Sequence, residues 1–132
     1  MGSNNNKHIL FFVVLLFFLF LGEAHKHVRI INNMQSNVTI HCKSKDNDLG
    51  VHVLSHDDSF RWKFNVNFWQ TTLFFCGFNS QHGRGVYDIF KADRDQSRCL
   101  SLCLWEVQDN GVHGFKENAT MDDIWFEWQN NK

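Results

Sequence analysis

The stretch Ser59–Trp69, SFRWKFNVNFW, decides the fold. Phe60, Trp62, Phe64, Val66 and Phe68 share one parity; Arg61, Lys63, Asn65 and Asn67 share the other. Successive side chains of a strand point to opposite faces, so this period of two makes one apolar face and one wet face. A helix would scatter the same apolar residues round its circumference.

The pattern continues in both directions. Val28–Ile31 opens a first strand. Val38, Ile40 and Cys42 lie on one side of the next, with Asn37, Thr39 and His41 on the other, and Leu49, Val51 and Val53 line a third. Thr71–Phe78, TTLFFCGF, is apolar on both parities and reads as a central strand, followed after a polar turn by Gly85–Ala92. Cys99–Val107, CLSLCLWEV, meets Val112–Phe115 across Asp109-Asn110-Gly111, and Asn-Gly is a strong hairpin signal. In Asp122–Trp128 the residues Ile124, Phe126 and Trp128 face together. Eight or nine short strands rich in aromatic and branched residues, with no helix among them, predict an all-β fold: a small antiparallel β-sandwich stabilised by two disulfides.

The N-terminus sets the compartment. Met1–His8 is polar, and Ile9–Leu21 is an unbroken apolar run followed by Gly22-Glu23-Ala24. This is the pattern of a secretory signal peptide, residues 1–24, cut after Ala24. At about 1.5 Å per residue the apolar run reaches roughly 20 Å, short of the ~30 Å core of a bilayer. No later stretch is long enough to leave an anchor after cleavage. Removing 24 of 132 residues leaves one domain, 25–132, which is expected in the extracellular space. The net charge of −1 gives no basic footprint of a nucleic-acid binder.

All four cysteines, Cys42, Cys76, Cys99 and Cys103, fall after the signal, and an even number in an oxidising compartment reads as two disulfides. A zinc site fits less well, because Cys42 and Cys76 have no close-spaced partner ligand. Four residues of extended chain would hold Cys99 and Cys103 about 13 Å apart, beyond the roughly 7 Å a bridge spans. That leaves Cys42–Cys103 with Cys76–Cys99, which is preferred, or Cys42–Cys99 with Cys76–Cys103.

Asn37-Val38-Thr39 and Asn118-Ala119-Thr120 are N-glycosylation sequons. If Val38, Ile40 and Cys42 face the core, Asn37 faces water. The polar run that follows, with Asp46 and Asp48, offers oxygens for calcium. Counted from Asp46, however, the sixth and twelfth positions of a calcium loop hold Val51 and Asp57, not glycine and glutamate. The run reads as a solvated turn closed by Gly50, and no cofactor or metal is expected.

Cys42–Leu54, CKSKDNDLGVHVL, then Phe60–Phe78, FRWKFNVNFWQTTLFFCGF, then Cys99-x3-Cys103-x-Trp105-x-Val107 before Asn110-Gly111, together resemble the plant self-incompatibility S1 family, the S-protein homologues. The resemblance runs from Val28 to Trp128. It departs at Asn110–Phe115, NGVHGF, where an aspartate-glycine turn and a following aromatic are usual. It implies a small secreted β-sandwich glycoprotein with two disulfides, variable hydrophilic loops and no catalytic residues. It also implies a signalling or recognition ligand for a plasma-membrane receptor or a cell-wall component, as in self-incompatibility. The alternative is a secreted defence or lectin-like protein that binds glycans.

The residues alone point away from an enzyme. His56-Asp57-Asp58 reads as a turn cluster, bridged cysteines are no nucleophiles, and Trp62, Trp105, Trp125 and Trp128 read as core more than as a sugar platform. Recognition then falls to loops: Lys43–Asp48 with Asp46 and Asp48, His56–Ser59, Asn79–Arg84 with His82 and Arg84, Asp93–Arg98 with Arg94 and Asp95, and Glu117–Asp122.

Overall fold

A computed structural model describes residues 2–23 and 25–129. The elements are α1 (Gly2–Glu23), β1 (Lys26–Asn32), β2 (Val38–Lys43), β3 (Asp48–Leu54), β4 (Ser59–Phe64), β5 (Leu73–Ser80), β6 (Gly83–Lys91), α2 (Ala92–Asp95), β7 (Leu102–Gln108), β8 (Gly111–Phe115) and β9 (Ile124–Phe126). Strands β4-β1-β7-β8-β9 make one sheet and β3-β2-β5-β6 the other. The small β-sandwich read from the sequence is the fold. Two features correct that outline. There are helices, one over the N-terminal apolar run and one of four residues after β6, and β1 pairs with β7 in parallel. The expected cleavage point after Ala24 lies outside the described residues. Among those residues no helix is long and apolar enough to cross a membrane.

Alternation builds the core. Val28 and Ile30 of β1, Val38 and Ile40 of β2, and Trp105 and Val107 of β7 have no exposure. Burying each such side chain fully contributes about 1.5–3 kcal/mol. Two aromatic chains join the layers. Trp62 and Phe64 of β4 both meet Phe74 of β5, with ring centroids 5.5 and 4.7 Å apart, and Tyr87 of β6 stacks on Phe126, which stacks on Trp105.

The disulfides differ from both pairings derived above. Cys42 bridges Cys76 and Cys99 bridges Cys103. Cys42 and Cys76 stand directly opposite each other on β2 and β5, with Cα atoms 4.0 Å apart. The elimination of Cys99–Cys103 assumed extended chain between them. The strand starts only at Leu102, and the turn before it draws the two Cα atoms to 5.3 Å. Neither bridge ties one sheet to the other, so packing and hydrogen bonds such as Asn32 Nδ2 to Leu54 O and the Tyr87 hydroxyl to Glu127 O hold the layers together.

Two more patterns break where the backbone does. The β2–β3 register carries an extra residue around Gly50, whose φ is +82°, and Val51 and Val53 face water while Leu54 is buried. β4 stops at Phe64, and Phe68, on the apolar parity, ends up in solvent. At the far edge of the second sheet, the Gln129 side-chain amide donates to Val86 O at 3.0 Å and accepts from Val86 N at 2.9 Å, as a paired strand residue would.

Candidate recognition surface

The strand directions sort the loops into two groups. β1 and β7 run one way, and β4 and β8 run against them. The β2–β3, β4–β5 and β8–β9 loops and α2 therefore gather at one end. The β1–β2, β3–β4, β5–β6 and β7–β8 loops gather at the other. Asp46, Asp48, Arg94 and Asp95 belong to the first end and His82 and Arg84 to the second, so the six expected contact residues form no single surface.

Each has a definite setting. Asp46 is exposed. Asp48 accepts from Gly50 N at 2.9 Å and meets His41 Nε2 at 2.6 Å, and these two bonds hold its carboxyl below the ordinary range. His82 Nε2 lies 3.3 Å from Asp109 Oδ1, and Arg84 is exposed. Arg94 is half-buried with its guanidinium 5.6 Å from the Trp105 ring centroid. Asp95 corrects the expectation: it has no exposure at all. Its carboxylate accepts from Lys91 N, from Arg94 and from Arg98, so it organises the turn into β7 and cannot touch a partner.

Asn37 and Asn118 are both exposed. Val38, Ile40 and Cys42 are buried, as the register argument for Asn37 required. His56 and Asp57 come within 3.2 Å in an exposed turn, and Ser55 and Asp58 close that turn by a side-chain bond of 2.6 Å. Among the described residues no three histidine, cysteine or carboxylate side chains gather as metal ligands. A hollow of about 830 Å³ between β6 and β9 is lined by Asp88, Lys91, Arg94, Trp125 and Glu127. Trp125 is half exposed there and stacks on His113, 5.6 Å between centroids, while Trp105 and Trp128 are core.

The feature missed from sequence is the β4–β5 loop. Phe68 is 86% exposed and Trp69 77%, and their rings pack edge to face at 5.2 Å. Asn65, Asn67 and Thr71 are turn formers, and here they set the loop. Asn67 Oδ1 accepts from Thr71 N at 2.9 Å and its Nδ2 donates to Thr71 Oγ1 at 2.9 Å. Asn67 N donates to Thr72 Oγ1 at 2.8 Å, and Thr72 O accepts from Ala92 N, which ties the loop to α2. Gln70 takes the left-handed conformation with φ of 60°. Two large apolar side chains are thus held out on a braced loop. The density of turn formers after Phe64 was the available signal.

Two sheets with an aromatic core, two disulfides, and loops collected at both ends define a small disulfide-braced β-sandwich. The family model described as plant self-incompatibility protein S1 matches residues 27–128, and the chain belongs to that family. It is 41% identical over 102 residues to S-protein homolog 24 of Arabidopsis thaliana, covering 76% of this chain and 67% of the relative. S-protein homolog 6 is 40% identical, covering 76% and 74%, and S-protein homolog 28 is 42% identical, covering 78% and 69%, both from the same plant. The S-protein homologues are not a known enzyme family.

Proposed function

We propose that this chain is a non-enzymatic extracellular ligand, gripped by a plasma-membrane or cell-wall partner through the Phe68–Trp69 loop. Residues 1–24 act as a cleaved signal, residues 25–132 are the secreted domain, and Asn37 and Asn118 accept glycans. One observation carries the reading: two neighbouring aromatic side chains are exposed on a loop that hydrogen bonds of Asn67, Gln70, Thr71 and Thr72 hold in shape. Exposed large apolar side chains cost solubility, and tryptophan is over-represented among the residues that dominate binding energy. A preformed loop also avoids the ordering cost of binding.

The test is binding of labelled, disulfide-intact protein to intact plant cells, to protease-treated cells, and of the Phe68→Ser/Trp69→Ser variant to intact cells. Saturable binding that the variant loses supports the proposal. Equal binding by the variant overturns the role of this loop.

A further inference from the structure

The outer face of β1 and β4 carries an arrangement that folding alone does not favour. The antiparallel register sets Arg29 directly opposite Arg61, and His27 directly opposite Lys63. Their neighbours in sequence, Val28, Ile30, Phe60 and Trp62, turn inward, so the four basic side chains project from one face as a two-by-two array. Like charges directly opposite each other destabilise a strand pair. Among the described residues, Arg29, Arg61 and Lys63 have no carboxylate within 4.0 Å to relieve them. Arg61 Nη2 comes within 3.3 Å of His27 Nδ1. Burial and the charges of Arg61, Lys63 and His25 push the His27 imidazole below its ordinary range.

Protection of a sheet edge explains part of this, because charged side chains on an edge strand deter pairing with another chain. It covers Arg61 and Lys63, since β4 is an edge. It does not cover Arg29, which lies on β1 between β4 and β7. On the β7 side the register places Leu102 beside His27 and Leu104 beside Arg29, so the cations border an apolar strip. A shallow hollow of about 590 Å³ runs alongside, reaching Lys116 and Glu117. The one carboxylate there, Glu117, is taken up by Ser101 Oγ at 2.6 Å and Leu102 N at 2.6 Å.

We propose that this face binds an acidic polysaccharide of the uronate type, whose carboxylates meet Arg29, Arg61 and Lys63 while its sugar rings lie over Leu102 and Leu104. A regular polymer matches basic side chains that repeat at every second residue along two paired strands. A bilayer is the competing occupant: the aromatic pair that could insert lies on the loop that follows β4, starting four residues past its end, while Leu102 and Leu104 on the array's own face are half-buried and offer little to insert. The choice of a polysaccharide rests on the extracellular function proposed above.

The experiment is affinity electrophoresis of the pure protein through gels containing polygalacturonate, or the same polymer fully methyl-esterified and so uncharged. Flotation with phosphatidylserine vesicles runs in parallel. The wild type is retarded by polygalacturonate, not by the ester, and raised salt abolishes the effect. Arg29→Gln/Arg61→Gln weakens the retardation about tenfold or more, as removal of two facing cations implies. Arg29→Lys/Arg61→Lys keeps most of it, and Lys45→Gln, on the β2–β3 loop, leaves it unchanged. Should the double glutamine variant misfold, Arg61→Gln/Lys63→Gln on the edge strand takes its place. Equal retardation of wild type and variant, retardation by the ester, or binding to vesicles alone overturns the inference. Loss of cell binding in the Phe68–Trp69 variant with polygalacturonate binding intact leaves this inference standing, and the reverse result overturns it alone.

Discussion

Arg98 Nη1 donates to Asp95 Oδ1 at 2.9 Å, with both side chains withdrawn from solvent. Arg98 reaches on to Asp123 through Nε at 2.6 Å and Nη2 at 2.8 Å, and its guanidinium lies 5.5 Å from the centroid of Trp105. Burial works against the Arg98 charge, but the two carboxylates outweigh it and its pKa is raised. Removing Asp95 leaves a buried cation short of a partner. Asp95→Ala is expected to cost about 3–5 kcal/mol in urea denaturation. Asp93→Ala, at an exposed neighbour, should stay within about 0.5 kcal/mol.

The two bridges close loops of very different length, with sequence separations of 34 and 4. In the loop-entropy treatment the longer one contributes about 4 kcal/mol and the shorter about 2. Denaturation of Cys42→Ser/Cys76→Ser and Cys99→Ser/Cys103→Ser should therefore rank them in that order. Peptide mapping without reduction should recover the Cys42–Cys76 and Cys99–Cys103 linkages.

Acid should loosen the β8–β9 end. The Arg98 hydrogen bonds hold the Asp123 carboxyl below its ordinary 3.8, and bonds from Ser101 and Leu102 hold Glu117 below 4.5. A depressed carboxyl pKa stabilises the fold above the unfolded value and loses that contribution as pH falls through the folded one. Melting temperature is expected to fall steeply below about pH 4, after a smaller decline that starts near pH 6.5, where His27, its pKa lowered in the fold, takes up a proton more readily in the unfolded chain. Asp123→Asn should melt lower at neutral pH and show a shallower acid decline.

Gly111 has φ of +136°, and a Cβ there would run into the carbonyl oxygen of Phe126. Gly111→Ala should cost about 2 kcal/mol or more, read from the thermal midpoint.

At the braced loop the expectation is the opposite. Phe68→Ser/Trp69→Ser removes side chains that touch mainly water and each other, so stability should move by no more than about 0.5 kcal/mol even where cell binding is lost.

Period-two alternation made the strands legible, together with the Asn110-Gly111 hairpin and the central place of Thr71–Phe78, because burial on one face leaves its mark residue by residue. What depended on where the alternation stops was not legible. Phe68 kept the apolar parity four residues past the end of β4, and only the backbone turn sends it outward. Cys99 carried the parity of β7 while lying in the preceding turn, and that inverted the disulfide assignment. Asp95 has the look of a loop charge: its partners Lys91, Arg94 and Arg98 all lie within four residues, and only the short helix α2 turns them onto one buried carboxylate. The Arg29–Arg61 opposition depends on a register between strands nearly thirty residues apart, which no local pattern encodes.

Gln129, reaching back to Val86 with both ends of its amide, occupies hydrogen-bonding positions that an incoming peptide would otherwise use. The molecule thereby stoppers its own lateral growth: a second copy cannot zip onto that rim without first evicting the amide. In the extracellular role proposed above, such a stopper keeps single molecules free to diffuse instead of polymerising edge to edge.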